Sequence, residues 1–312
     1  MSSPSIEASR LCRNFGGFQA VRDVSFAVEA GEIFGYLGAN GAGKSTTIRM
    51  LCGLLSPSRG QARVAGFDVA REPEDVKASI GYMSQKFSLY LDLPVKDNLE
   101  FFGGAYGLHG RHLRSRTDEV LQQCGLGGLG RETTGSLPGG LRQRLALACA
   151  ILHQPSVLFL DEPTASVDPQ ARRLFWRVIR DLAGEGTTVF VTTHYLDEAE
   201  NCRRIGLMAA GKLIALDTPA ALKRIYVPGR IFTVRGHDLG AAATVLRDRP
   251  GVLTVEPFGA GLHLQVDGAL WDKDKLAQAI TAAGGGAVAV QADEASLEDV
   301  FLAALGRSKE AA

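Results

Sequence analysis

The chain has 312 residues, with 34 Lys+Arg matched by 34 Asp+Glu and a formal net charge of +0. That length suits two domains, or one large domain with an appendage. At 46% hydrophobic residues the chain has a sizeable core and is not generally disordered, and its charge balance gives no reason to expect a polyanion as the main partner, local patches aside.

The N-terminal stretch MSSPSIEASR lacks the apolar centre of a secretion signal. Residues 20–29 alternate as a strand, and EIFGYLG reads as a buried strand running into a glycine-rich loop. STTIRMLCGLL follows as a helix with Ile48, Leu51, Leu54 and Leu55 on one face, closed by the turn residues SPSRG. QARVAGFDV is predicted as a strand with a turn, and SIGYMSQ as a short strand ending at Gln85. Helical patterns then run from Pro94 to Leu126 and from Gly140 to about Leu152. The longest clean apolar run, residues 145–152, is far shorter than the ~20 residues needed to span a bilayer.

SVLFLD is a predicted strand, 171–183 a helix, TTVFVTTH a strand, and LDEAENC the start of another helix. Strands alternating with helices predict a mainly parallel sheet covered by helices. Beyond YVPGR the order becomes strand 231–235, helix 239–248, strands 252–258 and 261–267, helix 273–283 and strand 286–292. That βαββαβ order is the ferredoxin-like plan. A last helix follows, with Ser296 and Asp299 at capping-box spacing. The domain boundary is expected near residue 228. Five cysteines, Cys12, Cys52, Cys124, Cys149 and Cys202, never fall in CxxC spacing and read as buried thiols of a reducing compartment.

GANGAGKS at 38–45 fits the GxxxxGK pattern followed by Ser or Thr, between a strand and a helix. Glycines let several backbone N–H groups face one anion, and the helix N-terminus adds its positive end. Lys44 supplies a full charge for the outer phosphates, and Ser45 a hydroxyl for Mg²⁺. Asp161 ends the apolar run VLFLD, where a carboxylate can hold that metal. Glu162 projects differently and can polarise a water for attack on a γ-phosphate. Gln85 and His194 also end strands of the same predicted sheet, where ligands of open α/β sheets gather.

With these residues in place, the chain resembles the ATP-binding subunits of ABC transporters. The matching pieces are, in order, NFGGFQAV, GANGAGKST, YMSQ, LPGGLRQRLALA, VLFLDEPTASVD and TTHYLDEAE, together covering about residues 6–225. Within that family it is similar to bacterial ABC-2 type exporter subunits, many of which carry a small C-terminal domain ending in a helix like SLEDVFL. The resemblance implies an α/β fold. A P-loop NTPase head fills residues 1–228, its mainly parallel sheet joined by a helical subdomain at about 86–150. An α+β ferredoxin-like accessory domain follows at 229–308, and a tail at 309–312.

The resemblance also implies roles. Phe15 stacks on adenine and Val21 joins the ATP contacts. Gly38, Ala39, Asn40, Gly41, Ala42, Gly43, Lys44, Ser45 and Thr46 form the P-loop. Ser45, Gln85 and Asp161 serve the metal. Glu162, His194 and Gln85 are catalytic, Gln85 also linking the metal site to the permease contact and His194 acting as the switch histidine. Asp168 sits in the loop that touches a partner subunit. ATP and Mg²⁺ are the implied cofactors. The implied partners are an integral-membrane permease and a second ATP-binding subunit, identical or different, with no nucleic acid. The implied place is the cytoplasmic face of the cell membrane, and the direction of transport is export. The apolar and aromatic stretch after Gln85 is the expected permease-docking surface.

The rival class is a soluble ABC-type ATPase acting on nucleic acid or ribosomes. Such proteins typically carry two heads, long coiled-coil inserts or basic arms, whereas this chain has one head, no heptad run and no net positive charge. A third reading makes the C-terminal domain a small-molecule sensor, by fold analogy alone.

Residues 137–141 depart from the family pattern. Leu-Ser-Gly-Gly-Gln is usual there and contacts the γ-phosphate bound to the opposite subunit; this chain has Leu137, Pro138, Gly139, Gly140 and Leu141. Proline suits a helix start but removes both a hydroxyl and a backbone N–H. Each lost hydrogen bond to a charged group is worth roughly 1.5–3 kcal/mol. Three outcomes stay open: a slow homodimer, pairing with a different subunit that has an intact signature, or a largely inert head. We expect Pro138→Ser to raise ATP turnover at saturating ATP. An unchanged or lower rate would show that the missing donors do not limit this chain.

Overall fold

Strands β3 (Ile33–Leu37), β7 (Val157–Asp161) and β8 (Thr188–Thr193) are buried along their whole length. Continuous apolar strands of this kind need cover on both faces, which the chain supplies with helices and a second sheet. With β6 (Ile80–Met83), β9 (Arg204–Ala209) and β10 (Lys212–Asp217) they form a six-stranded sheet of order β10-β9-β3-β8-β7-β6. All pairs are parallel except the edge pair β10–β9. In this computed structural model residues 3–310 are described, apart from 87, 166, 238, 259–260 and 284–287. Two compact units result, Met1–Pro219 and Ala220–Ala312.

The first unit holds a second, antiparallel sheet of order β2-β1-β4-β5, from β1 (Ile6–Phe15), β2 (Phe18–Val28), β4 (Arg59–Val64) and β5 (Phe67–Asp68). The sequence pattern did not announce β1, because bulges between Ala8 and Leu11 and again beyond Leu11 interrupt its alternation. The two sheets share one core. Its centre is the Phe190 ring, with centroids of Phe26, Phe34, Tyr36 and Phe159 at 5.8, 5.4, 5.3 and 5.5 Å. Tilted aromatic contacts at such separations add to area burial.

Helices α1 (Lys44–Leu51), α2 (Pro73–Ser79), α6 (Pro169–Gly184) and the short α7 (Leu196–Ala199) accompany these strands. Helices α3 (Val95–Ala105), α4 (Gly110–Gln123) and α5 (Gly139–Ile151) pack together within the stretch expected to be a helical subdomain. There the fully buried Asn98 side chain accepts from Tyr90 N at 3.0 Å and donates to Tyr90 O at 2.9 Å and Thr134 Oγ1 at 2.9 Å. Buried amides need such partners, and this one pins the segment following Gln85. The topology sends the carboxyl ends of β3, β6, β7 and β8 to one edge of the sheet, from which the P-loop residues, Gln85, Asp161, Glu162 and His194 emerge.

The second unit contains α8 (Pro219–Tyr226), β11 (Arg230–Arg235), α9 (Leu239–Arg247), β12 (Val252–Phe258), β13 (Gly261–Val266), α10 (Lys273–Ala282), β14 (Ala289–Asp293) and α11 (Leu297–Glu310). Its sheet has order β12-β13-β11-β14, antiparallel throughout, with Phe232, Leu246, Leu264, Leu276 and Ile280 among its core residues. The capping box forms: Ser296 Oγ accepts from Asp299 N at 3.2 Å and Asp299 Oδ2 from Ser296 N at 2.8 Å. The units part at Pro219 and not near residue 228. Helix α8 explains the difference, because Arg307 of α11 donates to Ile225 O at 3.2 Å and lies over the Tyr226 ring at 4.9 Å. Of the sequence expectations, residues 286–287 of the last strand, 311–312 of the tail, Phe87 of the docking stretch and Ser166 beside Asp168 lie outside the described residues.

Candidate nucleotide-binding site

The loop between β3 and α1 is shaped by glycines that other residues cannot replace. Gly43 sits at φ +107°, and a Cβ there would meet Ala20 O at 2.5 Å. A Cβ on Gly38 would meet Met208 O at 2.3 Å. Gly41, at φ +79°, has nothing within 4 Å of its would-be Cβ, so the loop is open on its outer side. An open, N–H-rich loop leading into a helix N-terminus fits a phosphate group.

Lys44 is 4% exposed, and its ammonium is held by two loop carbonyls and one carboxylate. Nζ donates to Gly38 O at 2.7 Å and Ala39 O at 3.3 Å, and lies 3.3 Å from Glu162 Oε1. A buried cation needs such compensation. Glu162 in turn is held at φ +50°, a costly conformation for a non-glycine residue. Its N–H is shared between Thr192 Oγ1 at 3.0 Å and Thr192 O at 3.2 Å. Its second oxygen, Oε2, accepts from Gln85 Nε2 at 3.0 Å and lies 3.3 Å from His194 Nδ1. One carboxylate therefore gathers Lys44, Gln85 and His194, although they come from α1 and from the loops after β6 and β8.

Asp161 occupies a separate niche. Its Oδ1 accepts from Ser45 Oγ at 3.1 Å and from Thr192 Oγ1 at 2.7 Å. A hydroxyl and a carboxylate oxygen side by side, both hard donors, fit a Mg²⁺ ion, which takes few protein ligands and keeps several waters. Among the described residues no three His, Cys, Asp or Glu side chains cluster as a metal cage. Close behind lies Cys52, whose thiol is pushed well up by burial and then by the Asp161 charge. Burial likewise raises Cys124 to about 12, and all five cysteines are free and buried.

The cleft is lined by Phe15, Phe18, Ala20, Asn40, Gly41, Gly43, Lys44, Ser45, Thr46, Gln85 and Glu162. Phe15 is 47% exposed and backed by Arg13, whose guanidinium lies 4.7 Å from the ring centroid, leaving a ring face for a flat base. Val21 does not reach the cleft: its side chain is fully buried in the core, and Ala20 lines the wall in its place. Strand alternation along β2 makes that exchange. Sequence reasoning missed Phe18 and Thr192. Phe18 lies three residues beyond Phe15 across a glycine turn, a legible signal, whereas Thr192 carries none.

Leu137–Leu141 do not line this cleft. Pro138, exposed and at φ −53°, caps α5, and its carbonyl accepts from Leu141 N and Arg142 N, both at 3.0 Å. The first amides of a helix have no intrahelical acceptor, and those of Gly139 and Gly140 occupy that position. A Cβ on Gly140 would meet Ala171 Cβ at 2.8 Å, so glycine there serves packing. Nothing lies within 4 Å of a Cβ on Gly139, which is exposed. Asp168 caps α6, accepting from Gln170 N at 3.0 Å and Ala171 N at 2.9 Å, and the Ala171 amide is the main cause of its lowered pKa.

Beside His194, the buried Glu198 carboxylate accepts from Thr164 Oγ1, and from Thr193 Oγ1 at 2.9 Å, and pairs with Arg172 Nε at 3.2 Å. This second network ties the segment following Glu162 to the one carrying His194.

Comparison with known proteins identifies the family. A model of the ABC transporter family matches residues 21–165. A probable multidrug ABC transporter ATP-binding protein, YbhF of Escherichia coli (strain K12), is 53% identical over 218 residues, covering 70% of this chain but only 38% of that protein. A daunorubicin resistance ATP-binding protein, DrrA3 of Streptomyces coeruleorubidus, is 38% identical over 318 residues and covers 100% of both chains. A solved bacterial ABC transporter cassette, described as dimeric, superposes with a TM-score of 0.63 at 25% identity, over 68% of this chain and 98% of that one.

Thr192 is the hinge of the site, since its hydroxyl serves Asp161 and the Glu162 amide at once. Thr192→Val keeps its shape and is expected to lower kcat for ATP about tenfold, at least, with a smaller change in KM. Steady-state ATPase kinetics test this; a wild-type kcat would remove Thr192 from the machinery.

Proposed function

Because the chain belongs to the ABC transporter family of ATP-binding subunits, we propose that it binds and hydrolyses ATP to drive export through a separate membrane permease of the ABC-2 type. The observation that carries this reading is the convergence of Lys44, Gln85 and His194 on Glu162 beside an open phosphate loop. Bound Mg²⁺ would offset the charge of the phosphates; this chain would supply the phosphate loop, the metal-side oxygens and the carboxylate that faces the attacking water. Ser45 and Asp161 would hold the metal, Phe15 and Phe18 would flank the adenine, and the loop amides would take the phosphates.

The Lys44–Glu162 pair gives this reading a mechanism. While Lys44 holds Glu162 Oε1, that oxygen is engaged and not free to meet a water. Transfer of the ammonium from Gly38 O, Ala39 O and Glu162 to incoming phosphate frees Oε1 to accept a proton from water. Gln85 and His194 keep the carboxylate aimed through Oε2. Substrate binding and activation of the base are thus one movement.

A second head completes the site. Gly139 is exposed and sterically free, as an amide offered to another molecule must be, and the dimeric relative supports face-to-face pairing. The exposed aromatic and aliphatic side chains Tyr90 (44%), Leu91 (46%) and Phe101 (51%) support permease docking on the helical part, at the cytoplasmic face of the membrane. Among the described residues no helix is long and apolar enough to cross a bilayer.

Lys44→Ala tests the reading most simply. Equilibrium binding of Mg·ATP should weaken at least about 100-fold, and turnover should vanish with it. Binding retained at wild-type strength would refute an ATP site at this loop.

A further inference from the structure

The antiparallel sheet of the first unit carries a cleft that takes no part in the site above. It encloses about 640 Å³, within the usual range for small-molecule sites. Arg10, Arg22, Arg59 and Lys212 line it, all exposed, against the single carboxylate of Asp23. Among the described residues none of these four cations forms an ion pair.

The backbone around the cleft is unusual. Arg10 has φ +48°, Asp23 φ +51° and Gly60 φ +80°, one left-handed residue from each of the neighbouring strands β1, β2 and β4. Such conformations are costly at non-glycine residues and persist where the surroundings impose them. Here Arg10 N donates to Ser25 Oγ at 2.8 Å and Asp23 N to Cys12 Sγ at 3.2 Å, locking both bulges. Gly60 must be glycine, since a Cβ would lie 2.1 Å from Arg10 O. The bulges set long cationic side chains from three strands around one hollow.

We propose that this cleft is a second phosphate site, distinct from the P-loop, for a soluble anion carrying several phosphate charges. Three guanidinium forks match phosphate oxygens in geometry as well as charge. The lining has no exposed apolar side chain, so a peptide or an acyl chain finds no anchor there. Two backbone hydrogen bonds link the cleft to the P-loop: Arg22 N donates to Gly211 O at 2.7 Å, and Gly211 N to Ala42 O at 3.0 Å.

The test is equilibrium dialysis of radiolabelled tripolyphosphate against the full chain saturated with ADP, which keeps the P-loop filled. One equivalent should bind, more weakly at about 0.5 M salt. Arg10→Ala and Arg59→Ala should each weaken binding about tenfold or more, with basal ATPase activity and thermal midpoint unchanged. Lys44→Ala, assayed the same way without ADP, should still bind one equivalent. The proposal is overturned if no tripolyphosphate binds, if both arginine variants bind as wild type does, if Lys44→Ala abolishes binding, or if a decaglutamate peptide binds more tightly than tripolyphosphate.

Discussion

A single ion pair organises the chemistry of this protein. Lys44 and Glu162 are both buried, 3.3 Å apart, and belong to elements more than a hundred residues apart in the chain. Burying two charges is costly, and the pair persists because each is also hydrogen-bonded, Lys44 to loop carbonyls and Glu162 to Gln85. On the proposed reading, the pair places a cation where phosphate would enter and occupies the carboxylate oxygen that would otherwise face a water. The fold serves this arrangement: a parallel sheet brings its strand ends to one edge, and full burial of β3, β7 and β8 fixes where those ends lie.

What was legible in the sequence followed from local chemistry. GANGAGKS announces its loop because glycine, lysine and serine at that spacing do one thing well between a strand and a helix. Asp161, Glu162 and His194 were legible because each ends an apolar run. Thr192 was not, since a threonine inside a strand looks like any other β-former; only the pairing of β7 with β8 reveals that it serves two neighbours. Val21 was assigned to the ATP contacts by resemblance, and the strand's alternation turns it to the core. The antiparallel sheet was partly hidden because its bulges erase the period that marks a strand, and the same bulges build the basic cleft. YVPGR looks like a linker near residue 228, whereas α8 before it already contacts α11 and falls largely in the second unit.

The departure at Pro138 leaves the local fold intact. Proline starts α5 as a serine could, Gly140 keeps its close packing on Ala171, and Asp168 still caps α6. What changes is the face offered to another molecule, which retains two glycine amides and a helix end but no hydroxyl. On the proposed reading, this head pairs its own cleft with a thinner surface for a partner's nucleotide, an asymmetry that would bear on which subunit it works beside.

On the proposed mechanism Glu162 acts as the base once Lys44 leaves it, and Glu162→Gln tests this most directly. The amide keeps the side chain's shape and removes its basicity. Turnover under saturating Mg·ATP should fall at least about 100-fold while ATP affinity stays level or tightens, because Lys44 no longer has a competing anion. Undiminished turnover, or affinity lost in parallel with turnover, would contradict the account.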